Sequence, residues 1–208
     1  MSSEVFDLVV RGKAKLVAAA VQNALDAGED PNELLNTMIS GMDEVGVKFK
    51  NNEIFVPEML VSARAMKKGV DVLKPHLASG AAGALGKVII GTVAGDLHDI
   101  GKNLVAMMIE SAGFEVNDLG VDVPKEKFVE ALEAAPDTKI VCCSALLTTT
   151  MPAMRETVEL LNSHPLRSKF KIMVGGAPIT QEFANEIGAD AYTEDAASCA
   201  QKAKALVS

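Results

Sequence analysis

The run Lys87-Val88-Ile89-Ile90-Gly91-Thr92-Val93 is apolar at nearly every position and limits the fold more than any other stretch. A strand with one wet face alternates apolar and polar residues, whereas a near-continuous apolar run must be covered on both faces, as in a parallel sheet between helices. Ile140-Val141-Cys142-Cys143 repeats the pattern. From Lys87 onward, strand and helix candidates alternate. The strands are expected at Lys87–Val93, Glu115–Leu119, Lys139–Ser144, Lys171–Val174 and Ala189–Tyr192. The helices are expected at Lys102–Ala112, Pro124–Ala134, Met151–Asn162, Gln181–Ile187 and Asp195–Val207. This rhythm predicts βα units wound on both sides of one sheet.

Five such units give an α/β domain of flavodoxin-like (Rossmann-like) type, a doubly wound five-stranded parallel sheet ordered 2-1-3-4-5. The first third of the chain has no strand signal. Lys13–Ala27 places Leu16, Val17, Ala20, Val21, Ala24 and Leu25 at helical spacing. Gly28 stops that helix, Asp30 caps the next with Pro31 at its first position, and Leu34, Leu35, Met38, Ile39, Met42 and Val45 form its buried stripe to about Phe49. A further helix runs from near Pro57 to Leu73, and a short one from about Ser3 to Val9. Short loops make neighbouring helices antiparallel, so a small N-terminal four-helix bundle is expected. The segment Pro75–Gly86 is rich in Ala and Gly without apolar periodicity and reads as a linker. The expected domains are therefore 1–76, a linker at 77–86, and 87–208.

Net charge is −8 and no basic block occurs, which argues against nucleic acid or an anionic membrane surface as partner. The N-terminus does not look like a targeting peptide, and no apolar run approaches the roughly 18 residues needed to span a bilayer, so a cytoplasmic protein is expected. Three cysteines, two of them adjacent in a strand, do not make a disulfide framework; all are expected as buried packers in a reducing compartment. Aromatics are only 4% of the chain, so the core must come from aliphatic residues and the ten methionines.

In the expected strand order, three loops meet on one rim: Asp96-Leu97-His98-Asp99-Ile100-Gly101 after strand 1, Ser144–Thr150 at strand 3, and Gly175-Gly176-Ala177-Pro178 after strand 4. Such folds bind ligands at that rim. His98 taken alone is either a loop histidine, solvated or paired with Asp99, or a metal ligand. His76 and His164 have no motif spacing to it, so a metal held by protein groups alone is disfavoured. Phosphate-loop glycines and a nucleophile elbow are also missing. A cofactor's metal, with the second ring nitrogen held by Asp96, fits the residues better.

Asp96-x-His98-x-x-Gly101, then Ser144-x-Leu146, then Gly175-Gly176 resembles the cobalamin-binding signature of methionine synthase and of the corrinoid proteins of methyl-transfer systems. Upstream, Phe49 with Ile54-Phe55-Val56-Pro57-Glu58-Met59 and Ser62-Ala63-Arg64-Ala65-Met66 is similar to the helical cap that precedes that domain. The resemblance implies a cobalamin or related corrinoid, bound base-off with His98 as the lower cobalt ligand. Asp96, His98 and Thr150 would form a proton relay, with Thr150 where methionine synthase has serine. Asp99, Ile100 and Gly101 would complete the binding loop. Ser144, Leu146, Thr148, Gly175 and Gly176 would line the pocket for the displaced nucleotide tail. Phe49 and Val56 would cap the methyl face, Val56 departing from the leucine of methionine synthase.

Implied with these roles is a non-catalytic subunit that carries a methyl group on cobalt. Its partners would be a substrate-specific methyltransferase, an acceptor methyltransferase using tetrahydrofolate or coenzyme M, and a reductive activase. The donor would be a methoxylated aromatic or a methylated or quaternary amine. The cobalamin subunit of an adenosylcobalamin mutase and a cobalamin-dependent sensor stay as alternatives. The first usually lacks such a cap, and the second would need a DNA-binding segment for which an acidic chain has no room.

Overall fold

The computed structural model describes residues 2–77 and 85–207. They divide into two compact units, one carrying the N-terminal helices and one carrying the sheet. Most of the expected linker, residues 78–84, lies outside the described residues.

The helical unit is α1 (Ser2–Val10), α2 (Ala14–Asp26), α3 (Pro31–Lys50) and α4 (Val56–Leu73), followed by a 3-10 turn at Lys74–His76. Helix α2 packs on α4, α1 on α3, and α3 on α4. The core is aliphatic and sulfur-rich, with Val17, Val21, Leu34, Met38, Val45, Met59, Met66 and Leu73 fully buried. The side chain of Asp30 caps α3 by accepting the Asn32 and Glu33 amides at 2.8 and 3.1 Å. Gly28, at φ +84°, ends α2: its amide donates to Leu25 O and that of Glu29 to Ala24 O, the paired bonds of a Schellman motif. Leu16 departs from expectation. It is 57% exposed, because the buried stripe of α2 narrows to Val17, Ala20, Val21 and Ala24, and Leu16 falls just outside that arc.

The sheet unit contains β1 (Lys87–Thr92), β2 (Glu115–Asp118), β3 (Thr138–Ser144), β4 (Lys171–Gly175) and β5 (Ala191–Tyr192). The order is β2-β1-β3-β4-β5 and every pairing is parallel. The connecting helices are α5 (Ile100–Ser111), α6 (Lys125–Ala134), α7 (Met151–Asn162), α8 (Gln181–Ile187) and α9 (Ala196–Val207). On one face Ile89, Val141, Cys143, Ile172 and Val174 pack with Phe128, Leu132, Met154, Val158 and Ile187 from α6, α7 and α8. Alternation turns Val88, Ile90, Cys142 and Met173 to the other face, where the thiol of Cys142 meets that of Cys199 on α9. Both sides of the central strands are therefore dry, which is why they read as continuous apolar runs. All three cysteines are buried free thiols. The hydrogen bond that Cys142 donates to Cys199, then burial, push the Cys142 thiol up, and burial alone raises Cys143 to about 12. No described helix is long and apolar enough to cross a membrane.

Helix α5 begins two residues before its expected start, so Ile100 and Gly101 lie in its first turn rather than in the preceding loop. Asp99 starts it: its carbonyl accepts the Asn103 amide at 2.7 Å and its carboxylate the Asn103 side-chain amide at 3.1 Å. Glycine's weak helix propensity leaves this first turn unmarked in the sequence.

Candidate functional site

Register brings the rim together. Thr92 at the end of β1 is opposite Ser144 at the end of β3, which is opposite Gly175 at the end of β4. The chain leaves all three strands at one level, on either side of the crevice between β1 and β3 where the winding direction reverses.

Asp96 is the hub of this rim, and it is fully buried. One carboxylate oxygen, Oδ1, faces His98: Nδ1 of the ring lies 2.7 Å away, and the His98 amide donates to it at 3.1 Å. The other, Oδ2, accepts the Leu146 amide at 2.7 Å, the Leu147 amide at 3.3 Å and the Thr150 hydroxyl at 2.8 Å. Burial, the largest single influence on Asp96, favours the neutral acid. The Leu146 amide, the His98 ring, the Thr150 hydroxyl and the His98 amide together outweigh it and hold the carboxyl well below the usual carboxylate range. An ionised Asp96 can only accept, so the bridging hydrogen to His98 sits on Nδ1, and in the neutral ring the lone pair is on Nε2.

The side chain of His98 is 49% exposed, and no described residue reaches Nε2. The reading that pairs His98 with Asp99 is not what the structure has, since Asp99 is engaged with Asn103. Thr150, in a 3-10 turn at Thr148–Thr150, lies within reach of a second acceptor, Leu147 O at 2.9 Å. Its single hydroxyl hydrogen serves one of the two at a time.

The remaining rim residues separate into two kinds. Ser144 and Gly175 end their strands and pair through the backbone: Ser144 O accepts the Val93 amide and Gly175 O the Ala145 amide. Gly176 has φ +126°, and a Cβ there would lie 1.8 Å from Ala145 O, so the close approach that requires glycine is to this chain's own backbone. Gly101 is different, with open space where its Cβ would be. Thr148 is exposed. Around His98 the rim is greasy: Leu97 is 72% exposed, Ile100 84%, Leu146 42% and Leu147 39%, and these are all the exposed large hydrophobics among the described residues of the sheet unit. Phe49 and Val56 belong to the helical unit, at the end of α3 and the start of α4 on either side of the turn at residues 51–55.

Two supports are invisible in the motif. Thr92, fully buried, donates its hydroxyl to His98 O at 2.9 Å. A hydroxyl ending an otherwise apolar buried strand was the available signal. Lys102, almost fully buried in the first turns of α5, pairs its amine with Asp118 at the end of β2 and with Asn103 Oδ1 at 2.6 Å. No local pattern announced that pair.

A single imidazole, fixed by a buried carboxylate and surrounded by exposed leucine and isoleucine, suits a large apolar ligand that needs one more donor. Among the described residues there is no cluster of three or more His, Cys, Asp or Glu able to hold a metal ion, so a metal at Nε2 would need other ligands of its own. The fold and rim define an α/β protein with a crevice at the switch point of its parallel sheet, the place where such folds bind ligands. Residues 86–200 match the family described as B12 binding domain, and residues 2–74 match a second family of the same description. The chain belongs to the B12-binding family, which bears out the resemblance seen in the Asp96-x-His98-x-x-Gly101 motif. It is 44% identical to dimethylamine corrinoid protein 2 of Methanosarcina mazei over 98% of this chain and 95% of that protein. A cobalamin-binding protein from Desulfitobacterium hafniense is similar in structure, with TM-score 0.84, 30% identity, and coverage of 100% of this chain and 99% of that one. The methanol:cobalamin methyltransferase complex of Methanosarcina barkeri contains a chain similar at TM-score 0.84 and 30% identity, covering 98% of this chain and 78% of that one.

Proposed function

We propose that the protein holds a corrinoid base-off, with His98 Nε2 as the lower axial ligand, and carries a methyl group from a methylated amine to a second methyltransferase. The observation that carries the reading is the Asp96–His98 pair: Nδ1 is engaged at 2.7 Å and Nε2 has no partner among the described residues, beside exposed leucines. When bound, the corrinoid supplies a cobalt centre that takes up and releases a methyl group. His98 contributes a lone pair that exists only on neutral imidazole. Asp96 keeps the proton on Nδ1 and raises the basicity of Nε2. Thr150 modulates Asp96: when its hydrogen turns to Leu147 O, the carboxylate loses a donor and draws harder on the His98 N–H.

Ser144, Leu146, Thr148, Gly175 and Gly176 are assigned to the nucleotide tail, with Asp99, Ile100 and Gly101 completing the His98 loop. Phe49 and Val56 of a cap at residues 1–76 are assigned to the methyl face, and residues 77–86 to the linker. The 44% identity to a dimethylamine corrinoid protein, against 30% to the chain from the methanol system, supports an amine over an alcohol as donor. The acceptor coenzyme is coenzyme M or tetrahydrofolate, each used through a partner enzyme, and a reductive activase restores inactive cobalt.

Electron paramagnetic resonance of the Co(II) form, with 15N-histidine, tests the ligand: splitting from the labelled nitrogen is expected, and coupling only to the corrinoid's own base would refute it. Donor identity is tested by pairing the reduced protein with amine and methanol methyltransferases. Methylation with only the methanol enzyme would overturn the amine assignment.

A further inference from the structure

We propose that Asp122, in the loop between β2 and α6, is a positioning residue that sets the His98 loop for ligation; this rests on the reading of His98 as axial ligand. Segment 119–123 does not hang free past the sheet. It continues the pairing beside β1: the Leu119 amide donates to Ile90 O at 2.8 Å, the Thr92 amide to Gly120 O at 3.0 Å and the Val123 amide to Thr92 O at 2.9 Å, with Val93 bridging Val123. Asp118 ties the same segment to α5, accepting the Gly120 amide at 2.9 Å on one oxygen and the buried Lys102 amine on the other.

On that platform Asp122 grips the loop at two consecutive residues. Its carboxylate accepts the Gly95 amide at 2.7 Å, and its own amide donates to Asp96 O at 2.9 Å. The two bonds are reciprocal, and they hold the Ala94–Gly95 and Asp96–Leu97 peptides, one on each side of the Gly95–Asp96 link. Asp96 is the residue whose carboxylate orients His98, so the azimuth of the ring is set from outside its own loop. Asp122 adopts φ +52°, a left-handed conformation that aspartate tolerates better than most residues. The side chain is exposed, so the conformation is not forced by core packing. Its role lies in the grip.

Three substitutions separate the parts of that grip. Asp122→Asn keeps an acceptor oxygen and tolerates the backbone; Asp122→Gly relaxes the backbone but removes the acceptor; Asp122→Ala loses both. In corrinoid-free protein, exchange of the Gly95 amide should accelerate about tenfold or more in the Gly and Ala variants, the order expected for losing one charge-assisted hydrogen bond, and stay near wild type in Asn. Nitrogen NMR should show the His98 ring shifting away from the Nδ1–H tautomer in Gly and Ala only. With corrinoid bound, the Co(II) fraction showing histidine splitting should fall in Gly and Ala and be rescued in Asn. If Gly and Ala keep wild-type exchange, tautomer and splitting, Asp122 does not position the loop and the proposal is overturned. If the wild type itself shows no histidine splitting, the axial-ligand reading fails and takes the proposal with it, an outcome the wild-type spectrum alone identifies.

Discussion

The two units of this protein use their buried interior in opposite ways. The helical unit fills its core with Ala, Val, Leu and four buried methionines (Met38, Met42, Met59 and Met66), and its functional candidates, Phe49 and Val56, are apolar residues away from that core. The sheet unit buries an ionised carboxylate and a threonine hydroxyl, and its functional candidate is the imidazole they hold. A methionine core adapts because its side chains have several rotatable bonds. A buried carboxylate does not adapt, because each donor it loses exposes part of its desolvation penalty. The sheet unit should therefore be the less forgiving of the two.

The largest effect is expected at Gly176→Ala. A Cβ 1.8 Å from Ala145 O at φ +126° combines backbone strain with a clash that no side-chain rotation relieves, and should cost about 3–5 kcal/mol in urea unfolding. Gly175→Ala beside it, with its nearest contact at 3.4 Å, should cost under about 1 kcal/mol. Equal losses at the two positions would contradict the contact.

Next comes Asp96→Asn, which presents an amide hydrogen to donors built for a carboxylate and should cost about 2–4 kcal/mol at pH 7. The folded-state pKa of Asp96 lies below its ordinary 3.8, so its contribution is complete above about pH 4 and is lost as pH falls through the folded value. The stability gap between wild type and variant should stay constant from neutral pH to about pH 5 and narrow in stronger acid; a gap that widened there would reverse the assigned sign.

In the helical unit, Gly69→Ala places a Cβ 2.6 Å from Met38 Sδ and 2.8 Å from Val17 Cγ1. Met38 can turn away and alanine favours helix, so a net loss of about 1–2 kcal/mol is expected, well short of Gly176→Ala. A loss as large would mean that the methionine core is as rigid as the rim.

The smallest effect on folding is expected for Phe49→Ala, about 1 kcal/mol for a half-buried ring. Corrinoid affinity should be nearly unchanged while photolysis of the methylated form speeds up. An unaltered photolysis rate would remove Phe49 from the methyl face.

Much of this protein was decided within short stretches of chain. Helical spacing marked α2, α3 and α4, Asp30 marked the α3 cap, and the double-sided apolar runs of β1 and β3 required helices on both faces of a parallel sheet. The strand order then placed the His98, Ser144 and Gly175 loops on one rim. These features follow from periodicity and steric rules that act over a few residues, so a sequence carries them openly. What the tertiary structure alone decided is where donors and acceptors meet. Asp96 receives the amides of Leu146 and Leu147 and the hydroxyl of Thr150 from across the crevice, Gly176 must be glycine because Ala145 O lies against it, and Asp122 reaches the His98 loop from a neighbouring crossover. Even the exposure of Leu16 depended on which arc of α2 its neighbours cover. Such contacts depend on strand register and on the twist that brings distant loops to one level, and hydrogen bonds are sensitive to tenths of an ångström. No local pattern holds that information.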